Sequence, residues 1–97
     1  MDVRFSDKDL EALENDERAT AGFSQAIVKA FRRRMQLIRA APDERDFYAL
    51  KSLHFEKYQA VPGRYSMRLN DQFRLMIEFE SRSREKTVVV VEITDYH

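Results

Sequence analysis

Residues 63–80 read GRYSMRLNDQFRLMIEFE, and their alternation decides the fold. Tyr65, Met67 and Leu69 fall on one side of an extended chain and Arg64, Ser66 and Arg68 on the other; Phe73, Leu75, Ile77 and Phe79 then alternate with Arg74, Met76 and Glu78. Successive strand side chains point to opposite faces, so two such runs joined by a polar turn predict a β-hairpin. A three-residue loop of Asn70, Asp71 and Gln72 sets Leu69 opposite Phe73 and keeps apolar against apolar. A two-residue loop would oppose Arg68 to Phe73 instead. The favoured register puts Arg68 across from Arg74, where like charges repel. Either Glu92, on the same face of a later strand, or a bound anion would compensate them, and a phosphate suits two guanidinium forks.

Upstream the period becomes helical. Phe23, Ile27, Phe31, Met35 and Ile38 recur at helical spacing, Ala30 and Leu37 widen the stripe, Ser24 stands as the N-cap, and Pro42 ends the element near Ala41. Before it, VRF at residues 3–5 predicts a short edge strand. Ser6 with Asp9 three residues on predicts the N-cap of a first helix running to about Glu14. DERDFYALKSL (43–53) predicts a further short turn of helix, and Pro62-Gly63 a turn. Downstream, SRSREK (81–86) leads into TVVVVEI (87–93), a last strand with Val89, Val91 and Ile93 expected on the core face. The expected architecture is α+β: an N-terminal strand and two helices packed on an antiparallel β-sheet meander, in one domain over residues 1–97.

Composition agrees with one modest core. The chain has 97 residues, 43% hydrophobic and 35% charged, with two glycines and two prolines, a balance that favours regular structure over disorder. The absence of cysteine excludes disulfides and thiolate chemistry, no apolar run is long enough for a membrane span, and the polar start MDVRFSDKDL does not read as a secretory signal; a cytoplasmic protein is expected. Seventeen basic and seventeen acidic residues cancel, so nucleic-acid affinity would need local segregation of charge. DKDLEALENDE is acidic, whereas KAFRRRMQLIR gathers Arg32, Arg33 and Arg34 on the second helix, as either a solvated face or a polyanion contact.

The chain has two histidines, His54 and His97. Tyr96 shares the strand parity of Arg68 and Arg74, with Asp95 and His97 beside it, and His54 and Lys57 precede the sheet. A lone histidine is commonly structural or superficial. Two imidazoles with a phenol, a lysine and paired arginines are also what RNA cleavage by its own 2′-hydroxyl requires: a base, an acid and cations for the phosphorane, without a metal or cofactor. The ring adds a stacking surface.

LKSLHFEKY (50–58), the hairpin and the terminal VEITDYH (91–97) together resemble the HigB branch of the RelE/ParE toxins, the toxin half of type II toxin–antitoxin operons. The resemblance implies a RelE-like domain and a ribosome-dependent endoribonuclease that cuts mRNA in the A site of the 70S ribosome. It also implies a HigA-like helix-turn-helix antitoxin as partner. By position, it makes His54, Asp95, Tyr96 and His97 catalytic candidates and Lys57, Arg68 and Arg74 the cations on the RNA backbone, with Arg32, Arg33 and Arg34 as ribosome contacts. Two other readings need no clustered imidazoles: an inhibitor of DNA gyrase related to the ParE toxins, and a plain antitoxin-binding module.

Overall fold

The computed structural model describes residues 1–82 and 84–95. In chain order the elements are β1 (Asp2–Phe5), α1 (Lys8–Asn15), α2 (Gln25–Ala40), α3 (Arg45–Ala49), a 3-10 turn (Lys51–Leu53), β2 (Glu56–Lys57), β3 (Arg64–Arg68), β4 (Phe73–Arg82) and β5 (Glu85–Asp95). The strands form one sheet in the order β1-β5-β4-β3-β2. β1 lies parallel to β5, and the other pairings are antiparallel.

Helix α2 is built as its stripe predicts. Ser24 accepts the Ile27 N–H at 3.3 Å, and Ile27, Val28, Phe31, Met35 and Ile38 are buried. Burying side chains of this size stabilises by about 1.5–3 kcal/mol each. Val28, Phe31, Met35 and Ile38 join a cluster with Leu10 and Leu13 from α1, Phe47 from α3, and Met67, Leu75 and Ile77 from the hairpin. The helices therefore cover one face of the sheet.

Two local expectations are corrected. Helix α1 is capped by Asp7, whose carboxylate accepts the Asp9 N–H at 2.7 Å, and not by Ser6. Ser6 still belongs to the sheet: its N–H donates to the Val90 carbonyl at 3.0 Å, and its hydroxyl lies 3.2 Å from the carbonyls of both Val90 and Val91.

Those carbonyls border the second correction. Met76 pairs with Glu92 but Ile77 pairs with Val90, so β5 carries one extra residue, Val91, in a β-bulge. Parity reverses there. Ile93 packs against the core as expected, but Val88 and Val90 fill it in place of Val89 and Val91. Val89 is buried on the opposite face, where Arg4 of β1 and Glu80 of β4 ion-pair from either side of β5.

Candidate functional site

The hairpin register is the one predicted, with Arg68 facing Arg74. Asn70 makes the turn: its side-chain carbonyl accepts from the N–H groups of Gln72 (2.9 Å) and Phe73 (2.7 Å), while Leu69 N–H donates to the Phe73 carbonyl at 3.0 Å. A short polar side chain that bonds the backbone two residues on is the usual reason for asparagine in a turn. Helix α2 braces the turn from behind, where Arg34 Nε donates to the Arg68 carbonyl at 2.7 Å. Burial, with Arg68 and Arg33 close by, lowers the Arg34 pKa from its usual value.

Two carboxylates compensate the facing arginines. Arg68 ion-pairs with Asp71 in the turn, and Arg74 Nη1 lies 3.9 Å from Glu56 of β2. Glu56 shares the polar face because it pairs with Ser66, which pairs in turn with Met76. Sequence reasoning missed Glu56, since a two-residue strand is too short to show alternation. The expected partner Glu92 is opposite Met76 on that face and accepts from the Thr94 hydroxyl at 3.1 Å.

Arg74 also reaches the His54 carbonyl, 3.5 Å from its Nη1. His54 closes the 3-10 turn in left-handed geometry (φ 46°, ψ 47°), with its N–H donating to Lys51 at 3.1 Å. That conformation costs a non-glycine residue about 1–2 kcal/mol. His54 is exposed, and it is its backbone carbonyl that meets Arg74.

The remaining candidates are dispersed. Lys57 pairs with Tyr65, so strand parity directs it away from Arg68 and Arg74. Asp95 pairs with Phe73 and by the same rule belongs to the helix side; it accepts from the Gln72 amide at 3.0 Å, tying the end of β5 to the hairpin turn. Tyr96 and His97 lie outside the described residues. In the basic run of α2, Arg32 is engaged with the carbonyls of Leu13 (3.0 Å) and Asp16 (2.9 Å) and Arg34 with the hairpin, whereas Arg33 is exposed. Among the described residues no group of three or more His, Asp or Glu side chains is placed to hold a metal ion, and no helix is long and apolar enough to cross a membrane.

A larger cleft, about 530 Å³, lies at the far end of β5 and is lined by Asp43, Glu44, Arg45, Arg84, Glu85 and Lys86 among others. Its charges are largely paired with one another, Asp43 with Arg45 at 2.7 Å and Glu44 with Lys86. It touches none of the candidate residues.

A five-stranded, mostly antiparallel sheet covered on one face by helices matches the fold of the RelE/ParE-type toxins. A solved structure of a YoeB/ParE toxin from Agrobacterium tumefaciens aligns with it at a TM-score of 0.62 and 15% identity, covering all of both chains. The chain belongs to the HigB-like toxins, RelE-like toxins of type II toxin–antitoxin systems, whose family model matches residues 3–97. Membership makes it a toxin with an antitoxin as its partner. No curated protein matches the chain.

Proposed function

We propose that the protein is a ribosome-dependent endoribonuclease that cleaves mRNA in the A site and so arrests translation. The observation that carries this reading is the facing pair Arg68 and Arg74 beside His54, in a chain of the HigB-like family. Exposed carboxylates, Asp71 and Glu56, already meet the two guanidinium groups, and a phosphodiester can take their place between the facing strand positions.

In the reaction, a base removes the proton of the 2′-hydroxyl, whose oxygen bonds to phosphorus. The bond from phosphorus to the 5′-oxygen breaks, and an acid protonates that oxygen. Arg68 and Arg74 hold the phosphate and offset the negative charge of the phosphorane. His54, Tyr96 and His97 are the groups proposed for proton transfer, with base and acid not separately assigned. Asp95, bound to Gln72 at 3.0 Å, is proposed to position the end of β5 against the hairpin turn. Lys57 and Arg33 are proposed as peripheral contacts to RNA phosphates, and Arg32 and Arg34 as braces behind them. The antitoxin is proposed to be of the HigA type, and the site of action cytoplasmic.

A second reading, drawn from the ParE side of the same toxin fold, is inhibition of DNA gyrase. Purified translation and supercoiling assays separate the two. The ribonuclease reading expects mRNA cuts that need 70S ribosomes and supercoiling left intact; blocked supercoiling without cuts would establish the gyrase reading.

A further inference from the structure

A site that holds single-stranded RNA by its phosphates alone has no grip on the bases, and stacking on an aromatic ring is the common remedy. Most described rings are committed elsewhere. All seven phenylalanines and Tyr65 belong to the core cluster or pack against it. Tyr48, though 54% exposed, meets Phe55 edge-on at 4.8 Å, with Glu44 and Lys86, not the arginine pair, as its charged neighbours. Tyr58 takes part in none of the ring contacts among the described residues. It lines a cleft of about 360 Å³ together with Glu56, Lys57, Gln59, Ala60 and Ser66.

This cleft adjoins the arginine pair. Glu56 lines it and also ion-pairs with Arg74 at 3.9 Å, and Ser66, 1% exposed, stands on β3 two residues before Arg68. The loop is held in place: the Tyr58 N–H donates to the Arg64 carbonyl at 2.8 Å, and Gly63 takes the positive φ of 79° that the return into β3 requires. Tyr58 offers a flat apolar surface, and the Gln59 amide carries both donors and an acceptor. A cleft of mixed lining with one ring beside two facing guanidinium groups has the chemistry of a nucleobase pocket.

We propose that this cleft is a nucleobase subsite, which takes the base of a single-stranded RNA nucleotide next to the phosphate held by Arg68 and Arg74, with Tyr58 as its stacking surface. The inference rests on the ribonuclease reading and adds to it the place where a base is read.

The test is equilibrium binding, by fluorescence anisotropy, of a short labelled single-stranded RNA and of an abasic ribose-phosphate strand of equal length. The intact chain is compared with Tyr58→Ala, Tyr58→Phe and Arg74→Ala. The subsite requires that Tyr58→Ala weaken binding of the base-bearing strand about tenfold while leaving the abasic strand unchanged, and that Tyr58→Phe keep the affinity of the intact chain. Equal weakening of both strands, or of neither, overturns the subsite. Arg74→Ala reports on the underlying reading separately, since loss of a phosphate contact weakens both strands alike. If Arg74→Ala changes neither strand while the Tyr58 contrast persists, the subsite stands and the phosphate assignment falls. Failure of the intact chain to bind either strand overturns both.

Discussion

Arg68 stands directly across the hairpin from Arg74, and a carboxylate meets each of them: Asp71 of the turn for Arg68, Glu56 of the edge strand for Arg74. Both carboxylates are well exposed, Asp71 at 95% and Glu56 at 56%, so each ion pair is worth no more than about 1 kcal/mol and a phosphate can displace it. Asp71→Asn should therefore leave the urea midpoint almost unchanged and tighten single-stranded RNA binding a few-fold at low salt. Weaker binding would mean that Asp71 orients Arg68 instead of competing for it.

The basic run of α2 should divide by role. Arg34→Met removes the bond from Nε to the Arg68 carbonyl and leaves that carbonyl facing an apolar side chain, at a cost of about 1–3 kcal/mol. Arg33→Met, at an exposed position, should fall within about 0.5 kcal/mol of the intact chain. Urea denaturation of the two variants checks the contrast.

The hairpin and α2 were legible because each has enough residues to display its period, and because apolar pairing admitted only one register. The bulge was not. Four consecutive valines at 88–91 look alike on either parity, and the carbonyls at the shift are met by Ser6, 84 residues from Val90. Ser6 looked like a helix cap for the same reason, since a serine one residue before Asp7 suits either task until the sheet is in place. Of the candidate site, the arginine pair followed from register. Glu56 and the left-handed His54 did not, because they depend on a two-residue strand and a single 3-10 turn. The opposed parities of Lys57 and Asp95 relative to Arg74 appear only once β2 and the end of β5 are paired.

The bulge makes its own prediction. Val90 is fully buried and Val91 is the unpaired residue, so Val90→Ala should cost about 2 kcal/mol and Val91→Ala clearly less. Ser6→Ala, which removes the hydroxyl beside the carbonyls of Val90 and Val91, should cost about 1 kcal/mol. Chemical denaturation of the three variants measures this, and equal losses at Val90 and Val91 would contradict the bulge.

At the far end of β5, side-chain and backbone hydrogen bonds from Arg45 lower the Asp43 pKa to about 2 from 3.8. A depressed carboxylate contributes stability that is present above its unfolded pKa and is lost as pH falls through the folded one. That contribution should therefore disappear between about pH 4 and pH 2. Carbon-detected NMR titration of Asp43 should give a midpoint near the lower limit, and Arg45→Gln should move it back toward an ordinary carboxylate value. Between neutral pH and about pH 5 the two proteins should respond alike to acid.

The most direct test of the account is mRNA cleavage in a purified translation mixture, with and without 70S ribosomes. It compares the intact chain with His54→Ala, Arg74→Ala and a chain lacking His97, each first shown to fold by circular dichroism. The account predicts cuts that require ribosomes, fall by at least about tenfold in each substituted chain, and vanish without His97. Cuts by the intact chain that persist unchanged in all three variants would contradict the site, and an intact chain that cuts nothing on the ribosome would contradict the function.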